Sequence, residues 1–300
     1  MTSSPSLARR AFLARVGLLG AAIGAAGVGG LLPRFASAQP GTGSGLAPLV
    51  DALRPALAEL ARDTLNGLCA FTVPGSDPYS QAQGTPQTGP GGLAAKAPDF
   101  LIDSLDNFVP FPDEIARPVA QALALATGLD GSNIALPGLD LPPAEAATLD
   151  DALHLLLAND ATVPLSLAVA GLLNLLATQV NPAAVSGSFL SPFARLSYPE
   201  KARVFELLEG PDADLVGLLA VEFPQPLQDS VSGLLRFVAG ALLEFATFGG
   251  YHEFAVFDPA TRQLTGRPVG WELSGYQPDG PVEGWDEFVG FYQGRTEVRD

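Results

Sequence analysis

The sequence of 300 residues contains one cysteine and two histidines, and this scarcity excludes several kinds of site. A lone thiol, Cys69, cannot form a disulfide within the chain. His252-Glu253 lacks the second histidine of a zinc-protease helix, and no group of residues has the spacing of metal ligands. We therefore expect no metal site. We interpret His154 as a surface histidine and Cys69 as a buried, inert thiol.

The chain also lacks the short motifs that mark common enzymes. It has no Gly-x-Ser-x-Gly elbow, no Gly-x-Gly-x-x-Gly run after a strand and no Cys-x-x-Cys-His. These absences argue against a serine hydrolase and against a chain that itself holds flavin, nicotinamide or covalent haem. Neighbouring acids, such as Asp150 with Asp151 and Asp212 with Asp214, are interpreted as surface or helix-start residues.

Basic residues are few as well, since 16 Lys and Arg face 32 Asp and Glu, for a formal net charge of −16. The basic residues cluster nowhere except at the N-terminus. Such a charge balance repels phosphate backbones, so nucleic acid is not an expected partner. Hydrophobic residues make up 47% of the chain, which is typical of a globular protein with a sizeable core.

Residues 1–38 have the three parts of an export signal: a basic start, an uncharged stretch over 16–32 and a run of small residues. The paired arginines followed by Phe and Leu resemble the twin-arginine signal, which implies export of an already folded protein. We expect cleavage before Gln39; the alternative is a membrane helix that stays attached, although 17 residues fall short of a hydrocarbon core of about 30 Å. The residues that define the predicted signal are Arg9, Arg10, Phe12, Leu13, Ala36 and Ala38.

Residues 39–300 are predicted to form one all-α domain, because apolar residues recur with the period of an amphipathic helix and no strand-helix alternation is present. Pro55 marks a kink or a first turn in the first helix. The segment 74–98 is rich in Pro, Gly, Ser, Gln and Thr and is predicted to be a flexible loop. The predicted helices span 46–71, 99–108, 112–129, 143–158, 165–177, 197–209 and 225–248.

One of these helices, 165–177, consists almost entirely of Leu, Ala and Val. It suits either a membrane span or the central buried helix of a bundle. Pro164, Asn174 and Gln179 bound or interrupt it, and its 13 residues are few for a span, so we favour the buried helix.

Residues 249–300 form a predicted aromatic C-terminal extension, in which Phe254–Leu264 reads as a short β-hairpin. Of the 24 aromatic residues in the chain, 11 lie between Phe245 and Tyr292. Leaving so many rings in water is unfavourable, by about 1.5–3 kcal/mol for each large apolar side chain. The rings therefore form either a small core of their own against the helices or a surface that docks another protein.

The run from Gly266 to Tyr276 resembles the signature of the gluconate 2-dehydrogenase subunit 3 family, a Gly-Trp-x-Leu-x-Gly-Tyr motif after a helical body. Leu196–Glu200 is similar to a helix start of that family, and the twin-arginine signal fits it too. The matching residues are Gly270, Trp271, Leu273, Gly275 and Tyr276.

This resemblance implies a small subunit without a cofactor, which assists the folding and export of a flavin-dependent dehydrogenase of the glucose-methanol-choline type. FAD is then expected in the partner, a c-type cytochrome is a further candidate partner, and no membrane span remains after signal cleavage. The motif residues and Trp285 are the candidate docking residues. The alternative function is a stand-alone exported protein that binds an apolar ligand in a pocket lined by helix 165–177.

Overall fold

The structure, a computed structural model, describes residues 43–109, 112–127, 143–159 and 163–276. Within these ranges the chain is a helical bundle with one two-stranded hairpin, which confirms the predicted all-α class. Some residues singled out from the sequence lie outside the described residues: Arg9, Arg10, Phe12, Leu13, Ala36, Ala38 and Trp285.

Ten α-helices follow one another along the described ranges, with a π-helical turn after the third. They are α1 (Gly43–Thr72), α2 (Pro78–Ala82), α3 (Ala97–Asp103), the π turn (Ser104–Phe108), α4 (Pro112–Thr127), α5 (Pro143–Asn159), α6 (Leu165–Val180), α7 (Tyr198–Glu209), α8 (Ala213–Ala220), α9 (Val231–Tyr251) and α10 (Val269–Ser274).

Helix α6 is the centre of the bundle, as expected for an apolar helix without charge. It packs against α1, α4 and α7, and 14 of its 16 residues are buried. A different segment, Leu227–Tyr251, is the one stretch of the described residues with the length and composition to cross a membrane. Only 28% of its most apolar 18-residue window is buried, so the bundle leaves much of α9 uncovered.

The end of α9 differs from the sequence-based prediction. The predicted helix stops before Gly249-Gly250, whereas α9 continues to Tyr251 with both glycines buried inside it. A Cβ atom on Gly249 would lie 3.0 Å from the Cβ of Ala97, and one on Gly250 would lie 2.9 Å from Cγ2 of Val73. The glycines therefore allow close helix packing and do not end the helix.

The segment 74–98 is anchored more firmly than its composition predicts. It contains α2. Asp77 caps the N-terminus of this helix, because its side chain accepts a hydrogen bond from the Ser80 amide at 2.8 Å. The side chain of Gln83 is buried and donates to the backbone oxygen of Ala70 at 2.8 Å. The prediction that this segment lacks burial was wrong, because polar side chains as well as large apolar ones can be buried, and here they attach the segment to α1.

The predicted helix start at Ser197 and the predicted hairpin are both confirmed. Ser197 caps α7, and its amide donates to Oε2 of Glu200 at 2.8 Å. Strands β1 (Phe257–Asp258) and β2 (Gln263–Leu264) pair antiparallel, and Phe257 lies opposite Leu264. Pro55 lies inside α1 and not in its first turn.

Candidate functional site

The family-like motif is held against the end of α9 by its first glycine. A Cβ atom on Gly270 would lie 2.1 Å from the carbonyl oxygen of Tyr251, which is far inside van der Waals contact. Gly270 is buried, and α10 packs against α9 at this point. Any larger residue at position 270 would push α10 away from α9, so the glycine fixes where the following motif residues lie.

The two motif rings pack on each other next to an arginine. Trp271 and Tyr276 form a T-shaped pair with centroids 5.3 Å apart, and the Arg267 guanidinium lies 5.9 Å from the Trp271 ring centroid. Arg267 also donates from Nη2 to the Tyr276 carbonyl oxygen at 3.0 Å. Gly275 ends α10 with a φ of 70°, a left-handed conformation that favours glycine. Leu273 is half-buried beside them.

Other exposed apolar residues occur in the same C-terminal part of the chain, and we call the whole set the C-terminal face. Trp271 is half-buried, and the other members are exposed. Among the described residues, the helices leave these rings at the surface and do not cover them as a small aromatic core would require. The C-terminal face comprises Phe248, Tyr251, Phe257, Leu264, Trp271 and Tyr276.

His252 lies at the edge of this face among aromatic rings. Its ring meets Phe100 edge-on with centroids 4.1 Å apart, and Phe248 at 5.1 Å. Nδ1 accepts a hydrogen bond from the Phe254 amide at 3.2 Å. Burial lowers the pKa of His252, which favours the neutral imidazole. These ring contacts pack His252 against α3 and the end of α9.

An apolar cleft of about 750 Å³ runs between α3, α4, α6, α8 and α9. Its floor is the buried side of α6, formed by Leu165, Ala168, Val169 and Leu172. Its rim carries exposed phenylalanines, of which Phe108 is 73% and Phe237 72% exposed. Sequence reasoning placed a pocket beside 165–177 as an alternative but did not identify the residues opposite α6, because those come from four distant segments.

A buried polar network joins α1, α6 and the turn before α7. Asn174 Oδ1 accepts from the Ser191 hydroxyl at 2.7 Å and from the Phe193 amide at 3.0 Å, and its Nδ2 donates to Thr64 Oγ1 at 2.9 Å. The Ser191 amide donates to Asp63 Oδ2 at 2.8 Å. The network satisfies polar groups in an apolar region and thereby fixes how these segments meet.

Lys201 is fully buried beside this network and was missed by the sequence analysis. Its Nζ donates to Gln83 Oε1 at 2.7 Å and to the Gly67 carbonyl oxygen at 3.0 Å. Burial lowers the pKa of the Lys201 amine to about 7. A signal was present, because Lys201 lies on the apolar side of α7, three and four residues before Val204 and Phe205. Lys201 is not among the residues that line the apolar cleft.

His154, Asp212 and Cys69 agree with the interpretations made from the sequence. His154 is exposed, and Asp212 caps α8 by accepting from the Leu215 amide at 2.8 Å. Cys69 is fully buried, and burial raises the pKa of its thiol. Among the described residues, no group of three or more His, Cys, Asp or Glu could hold a metal ion.

Comparison with protein-family models, with curated proteins and with solved structures finds no match to this chain.

Proposed function

We propose that the chain is a non-catalytic accessory subunit, which assists the folding, export and assembly of a flavin-dependent dehydrogenase of the glucose-methanol-choline type. The observation that carries the proposal is the exposure of the C-terminal face, where Tyr276 and neighbouring rings are exposed and Trp271 is half-buried. Exposed apolar patches of this kind mark interaction sites, because covering them removes apolar surface from water.

The composition of the C-terminal face suits a protein partner. Aromatic residues are enriched at the centres of specific interfaces, and Arg267 beside Trp271 adds a residue type that is also enriched there. Gly270 holds the pair at a defined place on α9, so binding would require little reordering of the rings.

The proposal assigns FAD and the catalytic residues to the partner, with a c-type cytochrome as a further member of the complex. Residues 1–38 then direct export by the twin-arginine route, which carries the folded chain and its partner across the membrane together. No membrane span remains in the chain after the signal is cleaved. The net charge of −16 disfavours a nucleic-acid partner.

Co-expression with a signal-free flavin-dependent dehydrogenase encoded beside this chain tests the proposal. We expect the two chains to co-elute in size-exclusion chromatography. Trp271→Ala should weaken the complex about 30-fold in calorimetric titration, the size of one interface hot spot. Phe108→Ala is the matched control, because Phe108 is an exposed ring at the cleft rim and outside the C-terminal face.

Two results would contradict the accessory role. One is the absence of a complex with the co-expressed flavoprotein. The other is steady turnover of a sugar or alcohol by the purified chain alone.

A further inference from the structure

The accessory role does not involve the apolar cleft. The volume of the cleft and the residues that line it indicate which kind of molecule it could bind. We propose that the cleft binds an uncharged small molecule that is mainly hydrocarbon and carries one hydrogen-bond donor at one end, such as a long-chain alcohol. The inference is independent of the proposed docking of a flavoprotein, because the C-terminal face supports that role and the cleft supports this one.

The size of the cleft favours a small molecule over a segment of another protein. A cavity of about 150 Å³ holds benzene, and at that ratio 750 Å³ holds about 30 non-hydrogen atoms. A helix three turns long and about 10 Å across has a volume of about 1,300 Å³, so no more than part of it could lie within the cleft. The volume lies within the range of small-molecule sites.

The polarity of the lining excludes a charged acid as the occupant. Among the described residues that line the cleft, Asp103 and Ser104 are polar and none is Lys, Arg or His. A bound carboxylate would have no counter-ion in this lining, and an unpaired charge in an apolar site carries a large free-energy cost. Fatty-acid anions are therefore poor ligands.

The positive end of the α6 dipole does not supply the missing counter-charge. Asp106 accepts hydrogen bonds from both the amide and the hydroxyl of Ser166, each at 2.8 Å. The first turn of α6 is thus already neutralised by a carboxylate of the protein.

Asp103 provides a place for the polar end of the ligand. Its Oδ1 accepts a hydrogen bond from Asn107 Nδ2 at 2.8 Å, and a carboxylate can accept more than one bond. A hydroxyl donor near Asp103 is compatible with this acceptor, whereas a second carboxylate is repelled by it. The hydrocarbon part then lies against α6 and beneath the phenylalanine rim.

Displacement of a neutral fluorescent probe tests the proposal. The purified protein is loaded with N-phenyl-1-naphthylamine at mildly alkaline pH, and dodecan-1-ol or dodecanoate is added as competitor. We expect the alcohol to displace the probe at a concentration at least about ten times lower than the carboxylate, because the two competitors differ only in the charged end. Equal or better displacement by dodecanoate would overturn the proposal, and so would failure of the probe to bind.

Two tryptophan substitutions on α9 place the binding in the cleft. Ala241 lines the cleft and is half-buried, so Ala241→Trp fills part of the volume and should weaken probe binding at least about tenfold. Gly240→Trp adds the same ring one position away, where a new Cβ atom meets open space, and should leave binding unchanged. Circular dichroism checks that both variants are folded.

Other results of these experiments would also refute the cleft as the binding site. Equal loss in both tryptophan variants, or loss in Trp271→Ala, would place the probe elsewhere and refute the cleft as its site. A dimer that forms in solution, excludes the probe and dissociates in Ala241→Trp would show that a second copy covers the cleft. The competition between alcohol and carboxylate uses the unaltered protein, so it stands even if a variant fails to fold.

Discussion

Replacing Asn174 by alanine should lower the free energy of unfolding by about 3–5 kcal/mol. The substitution removes the acceptor of the Ser191 hydroxyl and of the Phe193 amide, together with the donor to Thr64. All of these groups are buried, and each buried polar group that loses its partner costs about 1–3 kcal/mol. The loss is larger than for an ordinary core substitution because one side chain serves three segments.

Urea unfolding followed by circular dichroism measures this difference. Thr178→Ala is the matched control, since Thr178 is buried on the same helix and its hydroxyl donates to the nearby Leu175 carbonyl oxygen at 2.8 Å. We expect the control to cost about 1 kcal/mol, the net value of one local hydrogen bond. Equal losses for the two variants would show that Asn174 is not the hub of the network.

The stability of the unaltered protein should rise with pH relative to Lys201→Met. Burial lowers the Lys201 pKa to about 7 in the folded state, whereas the unfolded chain has the ordinary value of 10.5. Between these two values the unfolded chain binds a proton that the folded chain does not, so the free energy of unfolding increases with pH. From about pH 6 to about pH 8.5 the expected gain is about 2 kcal/mol.

The comparison with Lys201→Met isolates this effect, because Met approximates the length of the lysine side chain and does not titrate. Below about pH 7 the lysine is charged in both the folded and the unfolded protein. The difference in the free energy of unfolding between the two proteins should therefore level off. Parallel stability curves across this range would mean that Lys201 keeps its ordinary pKa despite burial.

Seven of the ten α-helices in the described ranges could be predicted from the sequence because they depend on local periodicity, whereas the short helices α2, α8 and α10 were not predicted. α1, α6 and α9 follow apolar residues at helical spacing, and Ser197 with Glu200 identifies the start of α7. The burial of segment 74–98 could not be predicted in this way. It depends on Gln83, whose side-chain partners include Ala70 and Lys201, the second of them 118 residues away.

The candidate sites show the same difference between local patterns, which the sequence reveals, and contacts between distant residues, which it does not. The motif around Trp271 is contiguous in the sequence and can be recognised there. The exposure of its rings, however, depends on how α10 packs against α9. The apolar cleft needs residues from α3 to α9 to converge, and no short pattern records such convergence. Asn174 was read from the sequence as evidence against a membrane span, whereas its partner Thr64 lies 110 residues away in α1.

The burial of Cys69 makes this protein its own reporter of transient opening. The chain has a single thiol, so an alkylating reagent has one site of reaction, and that site is enclosed in α1. Alkylation of Cys69 can proceed only in molecules in which the structure around α1 has locally unfolded. The alkylation rate therefore reports the population of these open molecules. No engineered cysteine is needed for such labelling kinetics.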